Sequence, residues 1–182
     1  MTTEWINIAD TAVKIGLGSV ITGFFTFIGL RYSHKSQQSK YMFEHKIKLI
    51  EQISADIDEY FTALTSFTNL IAGIAKRRNI DQKDEIPLNQ TQWQVIRNND
   101  ELLIASWTKR TYAIAKLRLL KANGVVTKLN QCVLLDKELR DKIVFDKIMY
   151  KYDEINDYRQ KLNEAKSAVH STLSDFYDSL LK

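Results

Sequence analysis

Cysteine, proline and histidine are nearly missing from this chain of 182 residues, which holds one cysteine, one proline and three histidines, and only six glycines. The lone Cys132 has no partner for an intramolecular disulfide, and one cysteine with three histidines leaves little material for a zinc ribbon or finger. Glycine and proline supply the tight turns of sandwiches, barrels and Gly-rich nucleotide folds, so their scarcity excludes those classes. None of His34, His45 and His170 has a glutamate three residues before it, which excludes the Glu-x-x-His pairs of a di-iron bundle. No catalytic motif, metal site or cofactor fingerprint is present, so no enzymatic role is expected. Long helices with few breaks remain.

The few glycines are unevenly placed. Gly16, Gly18, Gly23 and Gly29 all lie in residues 15–30, which carry no charge. Adding residues 11–14 makes a stretch that, at ~1.5 Å per residue, matches the ~30 Å hydrocarbon core of a bilayer, with Lys14 able to snorkel and Trp5 and Tyr32 flanking the ends. A transmembrane helix is therefore expected over residues 11–32, after a leader of residues 1–10. A leader with Glu4 and Asp10 and no base is not a signal peptide. Arg31, Lys35, Lys40, Lys46 and Lys48 follow the stretch, so the positive-inside rule puts the N-terminus outside and residues 33–182 in the cytoplasm, at the inner membrane. Ala12, Gly16, Ser19, Gly23 and Thr26 recur at spacings of four and three along one helix face, a small-residue stripe that favours close self-association into a homo-oligomer.

Downstream, Phe43, Ile47, Ile50, Ile57, Phe61, Leu64, Leu70, Ile71 and Ile74 keep the three-and-four spacing of an amphipathic helix that runs to about Arg78. Residues 79–87 hold the only proline and read as a loop. The next segment begins near Leu88 and is interrupted at residues 98–100. There Asp100 is expected to cap a helix over residues 101–122, which Asn123 and Gly124 stop. A short helix at residues 128–139 and a rod of about forty residues from Asp141 complete the pattern, the rod's length following from its heptad-like apolar positions. The expected fold class is all-α: a single N-terminal transmembrane helix followed by an elongated cytoplasmic antiparallel helical bundle.

The net charge of +4 is also unevenly distributed. Residues 102–135 contain no acid but carry Lys109, Arg110, Lys116, Arg118, Lys121 and Lys128. With Trp107 and Tyr112 among them, these residues are candidates for binding an anionic ligand such as a nucleotide, by charge and by stacking. The other reading is a solvated face paired with acids on neighbouring helices. Cys132 sits among Val133, Leu134 and Leu135 and reads as a buried thiol.

In architecture, through residues 15–30, their small-residue stripe and the basic stretch 102–135, the chain resembles the small bitopic membrane effectors of bacterial antiviral defence systems, including CRISPR-associated ones. That resemblance implies a cytoplasmic domain that binds a nucleotide and passes the signal to the membrane helices. The alternative is a non-catalytic, membrane-tethered scaffold or adaptor that recruits a cytoplasmic protein partner.

Overall fold

The computed structural model describes residues 2–83 and 87–180, with side chains described from Lys40 onward. Its elements are four α-helices, α1 (Thr2–Ile80), α2 (Gln90–Leu119), α3 (Asn123–Arg140) and α4 (Tyr152–Leu180), with one π-helical turn at Asp141–Phe145 before the last. The chain divides into two compact units, Met1–Lys46 and Ile47–Lys182. In the first, the described side chains Tyr41, Met42 and Phe43 are exposed.

The second unit is an antiparallel four-helix bundle, and its side-chain contacts establish the order. Lys116, late in α2, reaches Asp56, early in the bundle part of α1. Arg140 at the end of α3 meets Asp100 near the start of α2. Tyr158 of α4 donates to the Leu135 carbonyl of α3 at 2.7 Å, and Lys166 of α4 donates to Thr65 Oγ1 of α1 at 2.7 Å. Each helix therefore runs against its predecessor, and α4 closes back on α1, the arrangement that short connections between amphipathic helices favour. The core comes from period-3.6 stripes: Ile53, Ile57, Tyr60, Leu64, Phe67 and Ile71 of α1 face Leu103 and Leu117 of α2, Leu129 and Leu139 of α3, and Ile155 and Val169 of α4. Each such apolar side chain stabilises the fold by ~1.5–3 kcal/mol through removal from water.

The expected fold class is corrected in one respect. The helical bundle is present, but the single-span membrane architecture is not retained, because among the described residues no helix is long and apolar enough to cross a membrane. The expected span, residues 11–32, lies outside the residues whose side chains are described, and in residues 47–182 charged positions recur along every helix, which leaves no uniformly apolar window of the ~20 residues a span needs. The side chains of the stripe Ala12, Gly16, Ser19, Gly23 and Thr26 lie outside the described residues.

Element boundaries also differ from expectation. α2 runs unbroken through residues 98–100, and its N-cap is Asn89. The Asn89 side chain accepts from the Gln92 amide at 2.8 Å while Gln92 Oε1 accepts from the Asn89 amide at 3.0 Å, a reciprocal capping box. Asp100 is instead buried inside α2. Asn123 and Gly124 open α3 where they were expected to end its predecessor; the stop comes earlier, at Lys121. There φ is +59°, and the Lys121 and Ala122 amides return to the Arg118 and Leu117 carbonyls at 3.0 and 2.9 Å, a Schellman motif built on lysine where glycine is usual. The rod expected from Asp141 is broken by the π-helical turn and by Lys147, also at positive φ, so that α4 begins only at Tyr152.

Candidate functional site

The expected basic face of α2 separates into three environments. Lys109 lies 3.0 Å from Glu59 and Lys116 lies 2.6 Å from Asp56, both acids on the neighbouring α1. Lys109 also lies 4.0 Å from Asp56, so Asp56 is shared between the two lysines and charge laces α1 to the antiparallel α2. The Lys109 ammonium is held above its ordinary range by its hydrogen bond to Glu59 and by that carboxylate's charge.

Arg110 turns inward. It bonds Asp136 Oδ2 of α3 at 3.2 Å, and the same oxygen accepts from Tyr60 Oη of α1 at 3.1 Å and from Trp107 Nε1 at 3.0 Å. One carboxylate thus joins three helices. The Asp136 side chain is 1% exposed, and burial pushes its carboxyl above the usual carboxylate range despite those three donors and the nearby Arg140. Burial, and then the charge of Asp136, likewise push the Tyr60 phenol far up. Arg110 stacks 5.0 Å from the Trp107 ring and Arg140 stacks 4.7 Å from it, so two guanidiniums share one indole while each holds its own carboxylate.

Arg118, Lys121 and Tyr112 form the third environment and stay exposed. The candidates named for anion binding are therefore not brought together: Lys109 and Lys116 are engaged with α1, Arg110 and Trp107 with the interior, and only Arg118, Lys121 and Tyr112 face solvent. Their helical spacing distributes them around α2, and the acids that meet them come from positions far away in sequence.

The outward side of α2 has a different character. Ile104, Ala105, Thr108, Thr111, Tyr112 and Ala115 are all exposed, and at ~100° per residue they fall on one side of the helix, opposite the buried Leu103, Ser106, Ala113 and Leu117. None of the six is charged. Glu101 marks the N-terminal end of this strip, while Arg118 and the 80% exposed Leu119 mark its C-terminal end. Sequence reasoning passed over it because alanine and threonine carry no strong signal. The uncharged residues at helical spacing, Ile104, Thr108, Thr111 and Ala115, were its only trace. Tyr60 and Asp136, also missed, had a clearer mark, since each is a polar residue at a position that the apolar period assigns to the core.

Comparison with protein-family models, with curated proteins and with solved structures returns no match.

Proposed function

We propose that this chain is a non-catalytic helical scaffold that self-associates through the outward face of α2. The observation that carries this reading is the uncharged strip from Ile104 to Ala115, exposed on a helix whose opposite side is anchored by a buried ionic network. A solvated helix face usually carries charge, and a strip of small and apolar side chains is what helix-on-helix packing at 8–10 Å needs.

The strip is self-complementary. In an antiparallel pair of α2 helices related by a two-fold axis between Thr108 and Thr111, Glu101 of one copy faces Arg118 of the other, and Ile104 faces Ala115. Isologous pairing of this kind is the commonest form of homodimer. Burying Tyr112 and Leu119 at such an interface supplies the aromatic and aliphatic anchors that dominate binding energy. The anionic-ligand reading has less support: Lys109, Lys116 and Arg110 are already paired, and an anion would have to displace Glu59, Asp56 or Asp136.

Light scattering coupled to gel filtration tests the proposal on the full chain. A dimer is expected, and Thr108→Glu, which sets like charges across the axis, is expected to convert it to monomer without loss of helicity. Glu101→Arg or Arg118→Glu alone should weaken association, and the two together should restore it. A dimer unaffected by these changes, or a monomer at every concentration, overturns the proposal.

A further inference from the structure

Where α3, the segment after the π-helical turn and α4 meet, the surface opens into a cleft of ≈ 220 Å³ whose lining includes Glu138, Tyr150, Glu154, Asp157, Tyr158 and Lys161. Its floor is aromatic. Tyr150 and Tyr158 are buried, with ring centroids 6.0 Å apart and planes tilted by 46°. Tyr158 spends its hydroxyl on the Leu135 carbonyl. Tyr150 does not: it is 7% exposed, and its buried hydroxyl pairs with no atom of the described chain. A buried polar group left without a partner calls for a specific explanation, an unmodified lining group awaiting a ligand being one.

The rim is acidic, with Glu138, Glu154 and Asp157 against Lys161. The chain itself demonstrates what these groups accept. Lys142 places its ammonium 3.7 Å from the centroid of the Tyr150 ring and 3.2 Å from Glu154 Oε2, which pairs one ring and one carboxylate with one cation. Glu138 and Asp157 line the same cleft as the Tyr150 ring. Burial and then the charges of Glu138 and Glu154 push the Tyr150 phenol up to about 12, in keeping with a negative local potential. Among the described residues no group of three or more His, Cys, Asp or Glu is placed to hold a metal ion, so the cleft offers no cage of ligands for one. The volume lies below the ~300–1,000 Å³ of sites for drug-sized ligands, which excludes a nucleotide and suits a slender chain.

We infer that this cleft binds a linear alkylammonium, of the polyamine class, with one ammonium hydrogen-bonded to the Tyr150 hydroxyl and held by Glu138 and Asp157, and its methylene stem laid on the Tyr158 ring. The hydroxyl lone pairs of Tyr150 accept the ammonium hydrogens, and the carboxylates supply the opposing charge.

Titration calorimetry of the full chain with spermidine, with magnesium chloride as the charge-only control, tests the inference. Saturable 1:1 binding of spermidine is expected, with magnesium unable to compete at equal concentration. Glu138→Gln and Asp157→Asn should each weaken binding about tenfold, equivalent to ~1.4 kcal/mol. Tyr150→Phe provides the decisive pair of readouts: it removes an unpartnered buried hydroxyl, so the ligand-free protein should melt no lower than the parent, while spermidine affinity falls several-fold. Equal competition by magnesium, no saturable binding, or unchanged affinity in Tyr150→Phe overturns the inference.

Discussion

Arg140 of α3 grips both carboxylate oxygens of Asp100 of α2, Nε to Oδ1 at 2.5 Å and Nη2 to Oδ2 at 3.0 Å, and both side chains are nearly buried. A planar fork matched to a carboxylate in this way cannot be reproduced by an ammonium.

Arg140→Lys is therefore expected to cost about 1–3 kcal/mol, although it keeps the charge. Asp100→Ala should cost about 3–5 kcal/mol, because it leaves a guanidinium inside the bundle without its carboxylate. Urea unfolding of the two variants checks the order; equal losses would mean that charge alone, and not the fork, matters.

The second expectation concerns pH. The Asp136 carboxyl is raised by burial in the folded chain, so the folded state holds that proton at pH values where the unfolded chain has released it. A raised group contributes stability that is fully present below the unfolded value of ~3.9 and is lost as pH rises through the folded value. Asp136→Asn removes this titration. The stability of the parent relative to the Asn variant should therefore decline as pH is raised from 3 to 8 in urea titrations. A relative stability that climbs with pH would show that Arg110, Tyr60 and Trp107 together outweigh the burial.

Cys132 is fully buried in α3, and burial pushes its thiol up to about 11. Only the thiolate attacks a disulfide reagent, so the folded thiol is doubly protected at pH 8, by access and by protonation. Reaction with Ellman's reagent should proceed at the rate of global opening and rise in step with added urea. A burst of labelling in the native state would count against this packing.

Two backbone changes in opposite chemical directions should both stabilise the chain. Gly73 lies inside α1, and a Cβ added there meets nothing within 4 Å, so Gly73→Ala should gain about 0.5–1 kcal/mol from helix propensity. Lys121 has φ +59° at the end of α2, where a side chain is strained. Lys121→Gly should gain about 1 kcal/mol there. Thermal melts read both effects, and a lowered midpoint in either variant contradicts the backbone assignment.

The helical class, the end of α1 near Arg78 and the loop that follows it were legible because they rest on apolar period and on proline, which act locally. Ile50, Ile57, Phe61, Leu64 and Ile71 are in the core as that period requires. The sequence pattern failed where tertiary contact overrides a local preference. Asp100 has the chemistry of a helix cap, but Arg140, forty positions later, takes it into the interior and the helix runs through. Lys121 ends α2 in a conformation that local preference reserves for glycine, so the stop was placed at Gly124. The pairing of Lys109 and Lys116 with Glu59 and Asp56 was open as an alternative, since charge counts along one helix carry no information about which acids another helix brings to meet them. The buried carboxylate at Asp136 had only its position in the period to announce it.

The two guanidiniums stacked on Trp107 give the protein an optical signature. In a chain whose other tryptophans, Trp5 and Trp93, are changed to phenylalanine, all indole emission arises from a ring that Arg110 and Arg140 cover and that donates to Asp136. Parting of α2 from α3 removes Arg140 and Asp136 together and admits water to the ring, shifting its emission to the red. The colour of that single residue then follows the seam between two helices separately from the helicity of the whole, and separates loosening of the bundle from its melting.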